Sequence, residues 1–544
     1  MNHLTLPTSS SNTALPEDET GARQPAKRHG QDLFYSGHTR WNDTKVAKSP
    51  MYASGCNIPR LARGHMLRQR AQKAVFATRG SGDSGSSFDN LRSRSEGGGG
   101  RGFVQMDDKR YFCTVMKVNG YMERVTSIIG AGAPLGFTFD GIIFPSTNNI
   151  TRNVIQPYKS SDGEREISIP KDIYDVLTKA LPPDCSNDQG EKWASVNFEM
   201  IFHVLESYLS FEQAWKGSQN KYTFPVFGPF TLPSVSFDYD DINVVMHEYI
   251  IRIMDIVHAY NEYYRSNQRA ESWYRDFFVL APFKWDIFNF NYDTTIEDTL
   301  SEYEDGYEPI SATRACQRFN PVKLWKNLNE LSTVNHLHGC IDYYYSDSPS
   351  EDGGGYRFND LFKYEGYDEV RKRMVVHRDS HSVNQDGTVR HASPILTGLR
   401  KTDKLNCLPF DFYHGNLYNC LIRNRGLIIV GYSFGDLYMN QVLERMVLTH
   451  GKRMRIILID KWNVDGMGLD AFETHILKNV PLQMRNFISK VIDAQSAHQM
   501  ARLLQYKGGD TPMVSSNGCL MLMIAGFKQA TIYRDEIYSF LHSD

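Results

Sequence analysis

The chain has 544 residues, 60 Lys and Arg against 63 Asp and Glu, a formal net charge of −3, 41% hydrophobic and 23% charged residues. These values describe a soluble globular protein with one large domain or two to three ordinary ones, and the balanced charge gives no footprint for a nucleic-acid partner. The longest apolar run, Cys519 to Phe527, falls well short of the ~20 residues a membrane span requires, so no membrane partner is expected.

The first 105 residues are rich in Ser, Thr, Gly, Pro and Arg, with Gly97 to Gly100 in one run. Such a segment buries too little apolar surface to offset the entropy of ordering it, and it reads as a disordered leader. Between Met51 and Arg101 stand nine Lys or Arg and three Asp or Glu, which leaves open a basic arm touching phosphates or lipid. A later start at Met106, Met116 or Met122 is a further expectation. The beginning of the chain also lacks the charged-then-apolar pattern of a secretory signal.

Ordered structure is expected to begin near residue 109. Val125 to Ile129 is an apolar, β-branched run that breaks into Gly130-Ala131-Gly132. This reads as a buried strand feeding a tight turn, where backbone approaches a ligand without an intervening Cβ. Gly-rich strand ends also arise from packing alone. Ser146 to Thr151 reads as a loop and helix cap, and helical spacing follows in Lys171–Leu181, Trp193–Trp215 and Asp241–Tyr264. These predict an inserted helical layer over about 165–275. Strand-length apolar segments then recur at Phe283–Asn291, Thr333–Leu337, Pro394–Thr397, Gly426–Val430 and Arg455–Ile459. Strands alternating with helices predict an α/β protein with a Rossmann-like parallel sheet and ligand groups at its carboxyl ends. Residues 346–402 alternate acidic, basic and Gly-rich stretches and are expected as an exposed insertion. Residues 466–544 are expected as a C-terminal helical extension and a possible interface.

Four strand ends fall in order: Gly130-Ala131-Gly132, Asn289-Phe290-Asn291-Tyr292-Asp293, His336-Leu337-His338-Gly339 and Gly431-Tyr432-Ser433-Phe434-Gly435-Asp436; a fifth run ends in Asp460. In order and residue type this set resembles the sirtuin-like (SIR2) superfamily over roughly residues 124 to 465. It is most similar to the SIR2-like NAD-hydrolase proteins of bacterial antiphage defence. The resemblance implies a sirtuin-like NAD-binding domain over 109–465, with NAD as substrate, and it assigns Asn291 and His338 as catalytic. Gly130, Ala131, Gly132, Asp293, Gly431, Ser433 and Asp460 are assigned to cofactor binding. It further implies a homo-oligomer, a possible partner protein of the defence system, and infection-triggered loss of NAD.

The chemistry of these residues is compatible with that role. An amide at 291 can donate to and accept from a ribose hydroxyl or a water, although an Asn-to-Asp turn cap accounts for Asn291 and Asp293 equally. An imidazole at 338 titrates near neutrality and can take a proton, or serve as a satisfied core histidine. His336, deeper in the strand, reads as structural, and Asp436 as the cap of the following helix.

Eight cysteines, Cys56, Cys113, Cys185, Cys316, Cys340, Cys407, Cys420 and Cys519, include no Cys-x-x-Cys pair. No zinc or other metal centre is therefore expected, and scattered thiols fit the cytoplasm. The four-cysteine module of protein deacylases is missing, and Pro134 stands where the family commonly has serine. Gly130, Gly132 and Gly136 are one residue off the dehydrogenase spacing, and no phosphate-loop Gly-x-x-x-x-Gly-Lys-Ser/Thr occurs. His377, His381 and His391 lie in a polar stretch and read as a solvated face. The sequence reading is NAD+ hydrolysis to nicotinamide and ADP-ribose. An NAD-dependent deacylase or ADP-ribosyltransferase and a non-catalytic nucleotide sensor are the alternatives.

Overall fold

The computed structural model describes residues 124–543 apart from 137–143, 160–162, 164–165, 181–195, 217–238, 268–272, 311–315, 327–329, 346–359, 377–380, 384–388, 392, 400, 463, 465 and 507. The expected leader lies outside the described residues. Seven strands form the main sheet: β1 (Arg124–Ile129), β2 (Lys284–Asn289), β3 (Thr333–His336), β4 (Gly426–Val430), β5 (Arg455–Ile459), β6 (Met513–Val514) and β7 (Leu520–Met523). Their order is β6-β7-β5-β4-β1-β2-β3. All neighbours run parallel except the antiparallel β6–β7 edge. From β1 the chain steps outward through β2 to β3, then returns to the other side of β1 with β4. The order reverses beside β1, and a crevice opens there at the carboxyl ends of the strands, as in doubly wound α/β proteins.

Alternation along the strands accounts for two cores. Ile128, Leu427, Ile429, Ile456 and Leu458 enter one buried cluster, whereas Ile129, Ile428, Val430, Ile457 and Ile459 enter the other. The register pairs Ile128 with Ile429 and Ile129 with Val430, so each face of the sheet is continuous across strands. On the first face lie α1 (Thr147–Val154), α2 (Ile169–Ala180), α3 (Phe198–Lys216) and α4 (Tyr239–Asn267), whose Ile150, Leu177, Phe202 and Tyr249 share that cluster. Ser146 caps α1, accepting from the Asn149 N–H at 3.2 Å. The second face is aromatic, with Phe277, Phe278, Trp285, Phe527 and Tyr538 packed ring against ring. Among the described residues no helix is long and apolar enough to cross a membrane.

Three expectations need correction. Residues 466–544 are not a helical appendage, because Leu520–Met523 pairs with β5 inside the main sheet. The apolar run there is a buried parallel strand, with Leu520, Leu522 and Met523 fully covered. Pro394–Thr397 is no strand; only Ile395 makes an isolated bridge, to Gly339. In the 346–402 region the described residues are not wholly exposed. Phe362–Tyr364 joins a small antiparallel sheet with Tyr343–Tyr344 and Cys316–Phe319, and Leu361, Tyr364, Val370 and Met374 are buried.

The turns after β1 and β4 are pressed together. Gly132 donates to the Gly431 carbonyl at 2.8 Å, and Gly130 to the Val430 carbonyl at 2.9 Å. A Cβ on Gly130 would lie 2.5 Å from the Gly431 oxygen, and one on Gly431 (φ +60°) would lie 2.1 Å from the Ala133 nitrogen. The glycines are thus required by turn-against-turn packing. Gly431→Ala is expected to destabilise the fold by about 2–4 kcal/mol, combining left-handed strain with a clash against rigid backbone. A loss below about 1 kcal/mol in chemical denaturation would show that the two turns separate easily.

Candidate functional site

A cavity of about 850 Å3 occupies the crevice at the carboxyl ends of the strands. Every strand from β1 to β5 sends residues into its wall: Gly130–Gly132 after β1, Phe290–Asp293 after β2, His338 after β3, Gly431–Ser433 and Gly435–Tyr438 after β4, and Asp460 after β5. All nine residues assigned from the sequence, Gly130, Ala131, Gly132, Asn291, Asp293, His338, Gly431, Ser433 and Asp460, border this one space. Asn291 and His338 therefore share a cavity although 47 positions separate them in the chain. Further wall comes from the starts of α1 and α3, with Asn148, Asn197 and Glu199, and from Gly398, Leu399, Lys401, Thr402 and Leu405.

Asn291 is held from three sides. Its N–H donates to Asn289 Oδ1 at 2.9 Å, its Nδ2 donates to the Gly130 carbonyl at 3.2 Å, and its own carbonyl lies 3.3 Å from His336 Nδ1. The Nδ2 contact ties the asparagine loop to the glycine turn and fixes which end of the amide is spent. Asp293 behaves differently. Its carboxylate is buried and accepts from the Thr295 N–H at 3.2 Å and from the Thr295 hydroxyl, closing the turn into a short helix at Thr295–Thr299. Burial pushes its pKa up against these bonds. The side chain thus serves the turn-capping alternative open at the sequence level. Asp460 likewise turns back on its own chain, accepting from the Lys461 N–H at 2.8 Å and Trp462 Nε1 at 3.1 Å.

His338 sits edge-on to Phe290, with ring centroids 4.8 Å apart. Its carbonyl receives Leu396 N–H at 2.7 Å, and Gly339 (φ +88°) turns the chain where a Cβ would strike the Pro394 carbonyl at 2.1 Å. Its Nε2 lies 3.4 Å from Asp436 Oδ2. Asp436 thus does more than cap the helix α5 (Leu437–His450), from whose Met439 N–H it accepts at 3.1 Å. Burial, followed by the Lys401 ammonium, pushes the His338 pKa down, and Asp436 only partly opposes them. Burial opposes ionisation of Asp436, yet His338, Lys401 and the Met439 N–H together hold its carboxyl well below the usual range. The result is a neutral imidazole beside an ionised carboxylate. That pair is equipped to take a proton and to stabilise the imidazolium formed.

Sequence reasoning missed Lys401, Glu199 and His414. Lys401 and Glu199 form an ion pair of 2.7 Å at the cavity wall, and Lys404 repeats the arrangement one helical step on with Glu206, at 2.8 Å. The two lysines clasp the turn Lys401–Lys404 to α3. No local signal marks these pairs: the lysines stand three apart and the glutamates seven, in separate parts of the chain. His414 Nε2 faces the Leu337 carbonyl at 3.2 Å, and burial with the nearby His338 lowers its pKa to about 4.

Beneath the site, Glu297, His336 and Cys340 place potential ligand atoms within 4.8 Å of one another. His336 Nε2 and Glu297 Oε1 touch in a direct hydrogen bond. Two atoms bound to one zinc at ~2.0–2.3 Å stand ~3 Å or more apart in tetrahedral geometry. The imidazole and carboxylate are therefore engaged with each other rather than arranged around an ion.

The electrostatics of His338 can be checked without any ligand. Lys401→Met removes the cation that depresses His338 and leaves Glu199, whose charge acts in the opposite direction. The His338 pKa is expected to rise, so that its protonated form persists to higher pH. Histidine-resolved NMR titration measures this, and an unchanged or lower pKa would refute the assigned role of Lys401.

Comparison with known proteins gives the following. Residues 286–475 match the model of the SIR2-like domain family, a span running from β2 past β5 that holds the Asn291, His338, Gly431 and Asp460 loops. No curated protein matches the chain. Among solved structures, one titled "Structural Basis for the Mechanism and Regulation of Sir2 Enzymes" aligns with 70% of this chain and 98% of its own, at 8% identity and a TM-score of 0.22; a superposition that loose carries no argument. The protein carries a SIR2-like domain over residues 286–475.

Proposed function

We propose that this protein hydrolyses NAD+ to nicotinamide and ADP-ribose. The SIR2-like domain places the chain in an NAD-related class; the finer reading rests on one observation, the convergence of Asn291, His338 and two glycine turns on a single cavity. Its volume of about 850 Å3 lies toward the upper end of the roughly 300–1,000 Å3 common for small-molecule sites. Among the described lining residues Lys401 is the only lysine or arginine, and Glu199 already pairs with it. A pyrophosphate would therefore have to be met by N–H groups of these turns other than those of Gly130, Gly132 and Gly431, which already donate to neighbouring carbonyls.

In this reading nicotinamide leaves the ribose through an oxocarbenium-like state, as in glycoside hydrolysis. The Asn291 amide oxygen, left over after Nδ2 is bound by Gly130, orients a ribose hydroxyl or the attacking water. Neutral His338 accepts the proton, and the Asp436 carboxylate stabilises the resulting charge. Ser433, exposed after β4, is assigned to phosphate or ribose contact, and Asp293 and Asp460 shape the pocket walls. The proposal extends to a cytoplasmic homo-oligomer whose NAD depletion serves antiphage defence, with a further protein of the same system as partner.

Purified protein incubated with NAD+ is expected to release nicotinamide without any acylated peptide. His338→Ala is expected to cut turnover by about 10²–10⁴-fold, the range for loss of a positioned proton acceptor. Asn291→Ala is expected to abolish the fall in cellular NAD caused by the wild-type protein. Turnover that depends on an acetylated peptide would establish the deacylase reading instead. Nucleotide binding by calorimetry without turnover, including in infected cells, would establish a sensor.

A further inference from the structure

His336 and Glu297 take no part in the chemistry described above, yet they are buried directly behind Asn291. The His336 ring is fully covered, and the Glu297 side chain is 7% exposed. His336 Nδ1 lies 3.3 Å from the Asn291 carbonyl, and Nε2 contacts Glu297 Oε1. Both partners are acceptors, so a ring that satisfies both must carry a proton on each nitrogen. We propose that Glu297 and His336 form a charged positioning pair that fixes the Asn291 peptide and so aims the Asn291 side chain into the cavity.

The local fold closes this circuit on itself. Asp293 accepts from the Thr295 N–H and closes the turn into the short helix Thr295–Thr299, and that helix brings Glu297 back beneath the loop displaying Asn291. His336 is the last residue of β3, whose register aligns it with Asn289 of β2. The same strand pair therefore carries both the imidazole and the loop it supports. Burial favours the neutral ring, but Glu297 outweighs it and raises the His336 pKa; Lys363 acts against Glu297 and Asp293 with it. Tyr343 meets the imidazole edge-on, and the Cys340 thiol is kept un-ionised by burial. An ion pair this enclosed is costly to break from one side, because the remaining charge has no solvent to turn to. With its carbonyl donor removed, the peptide after Asn291 is free to rotate, and misplacement of a reacting group by about 1 Å can cost as much as 10²-fold in rate.

The kinetic consequence rests on the proposed NAD hydrolysis, so the test has an arm that does not. Full-length wild-type protein is compared with Glu297→Gln, His336→Gln and His336→Asn. In histidine-selective 15N NMR at neutral pH, His336 of the wild type is expected to show both ring nitrogens protonated, and Glu297→Gln to return it to the neutral ring. A neutral His336 in the wild type would overturn the pair whether or not NAD is consumed. For NAD turnover, Glu297→Gln and His336→Gln are expected to lower kcat by about 10- to 100-fold with KM changed by less than about three-fold, since only the aim of Asn291 is lost. His336→Asn places an amide donor near the Nδ1 position and is expected to recover kcat several-fold over His336→Gln. Wild-type kcat in both Glu297→Gln and His336→Gln would overturn the proposal, as would equal losses in the two His336 variants. Stoichiometric metal in the purified protein that disappears with His336 would also overturn it, in favour of a metal centre. Failure of the wild type to consume NAD+ counts against the proposed function alone, because the NMR arm then decides the pair.

Discussion

Everything in this site is referenced to the contact between two backbone turns. Gly130 and Gly132 on one side and Gly431 on the other approach so closely that no side chain fits between them, and each turn satisfies hydrogen-bonding groups of its neighbour. The contact lies where the strand order reverses, which is where an open parallel sheet leaves a crevice. Asn291 attaches to the same assembly through the Gly130 carbonyl, so its position relative to the two glycine turns is set by backbone rather than by flexible side chains. Precision at such a site comes from the sheet, whose central strands are buried on both faces.

Two histidines separated by one residue are given opposite protonation preferences. His336 points toward Glu297 and the carbonyl of Asn291, and is driven toward its charged form. His338, at the turn, is driven toward its neutral form by burial and then by the Lys401 ammonium. Both rings are buried, so desolvation alone would treat them alike. The neighbouring charges decide between them: Glu297 outweighs burial at His336, whereas Asp436 does not outweigh burial and Lys401 at His338. One sequence motif thus yields a structural cation and a candidate base, the divergence of paired titratable groups by which proteins separate acid and base duties.

The parallel sheet was legible in the sequence because its strands are short, β-branched runs that end in glycine or polar residues, and β1, β2, β4 and β5 lie where that pattern puts them. The gathering of Asn291 and His338 followed from reading motifs as strand ends, since parallel strands place all their carboxyl ends on one rim. What could not be read was the far wall. Lys401 and Glu199 meet only through folding, and neither local composition nor spacing marks a polar helix start and a polar loop as partners. β7 was missed for a different reason. Its run of Leu and Met carries no β-branched residue, and short apolar segments without periodicity do not declare their type. Asp293 shows the converse case, where a residue in a motif is engaged with its own turn.

The position of β1 has a consequence for synthesis. It is the first strand described and an interior one of the sheet, flanked by β2 and β4, and Ile129 aligns with Val430. On a ribosome adding 5–20 residues per second, the ~300 residues between those partners take about 15–60 s to emerge. Throughout that interval the growing polypeptide holds one edge of an apolar strand without its mate. Premature pairing with another nascent chain is a hazard built into this order of strands, and the crevice stays unassembled until β4 has emerged.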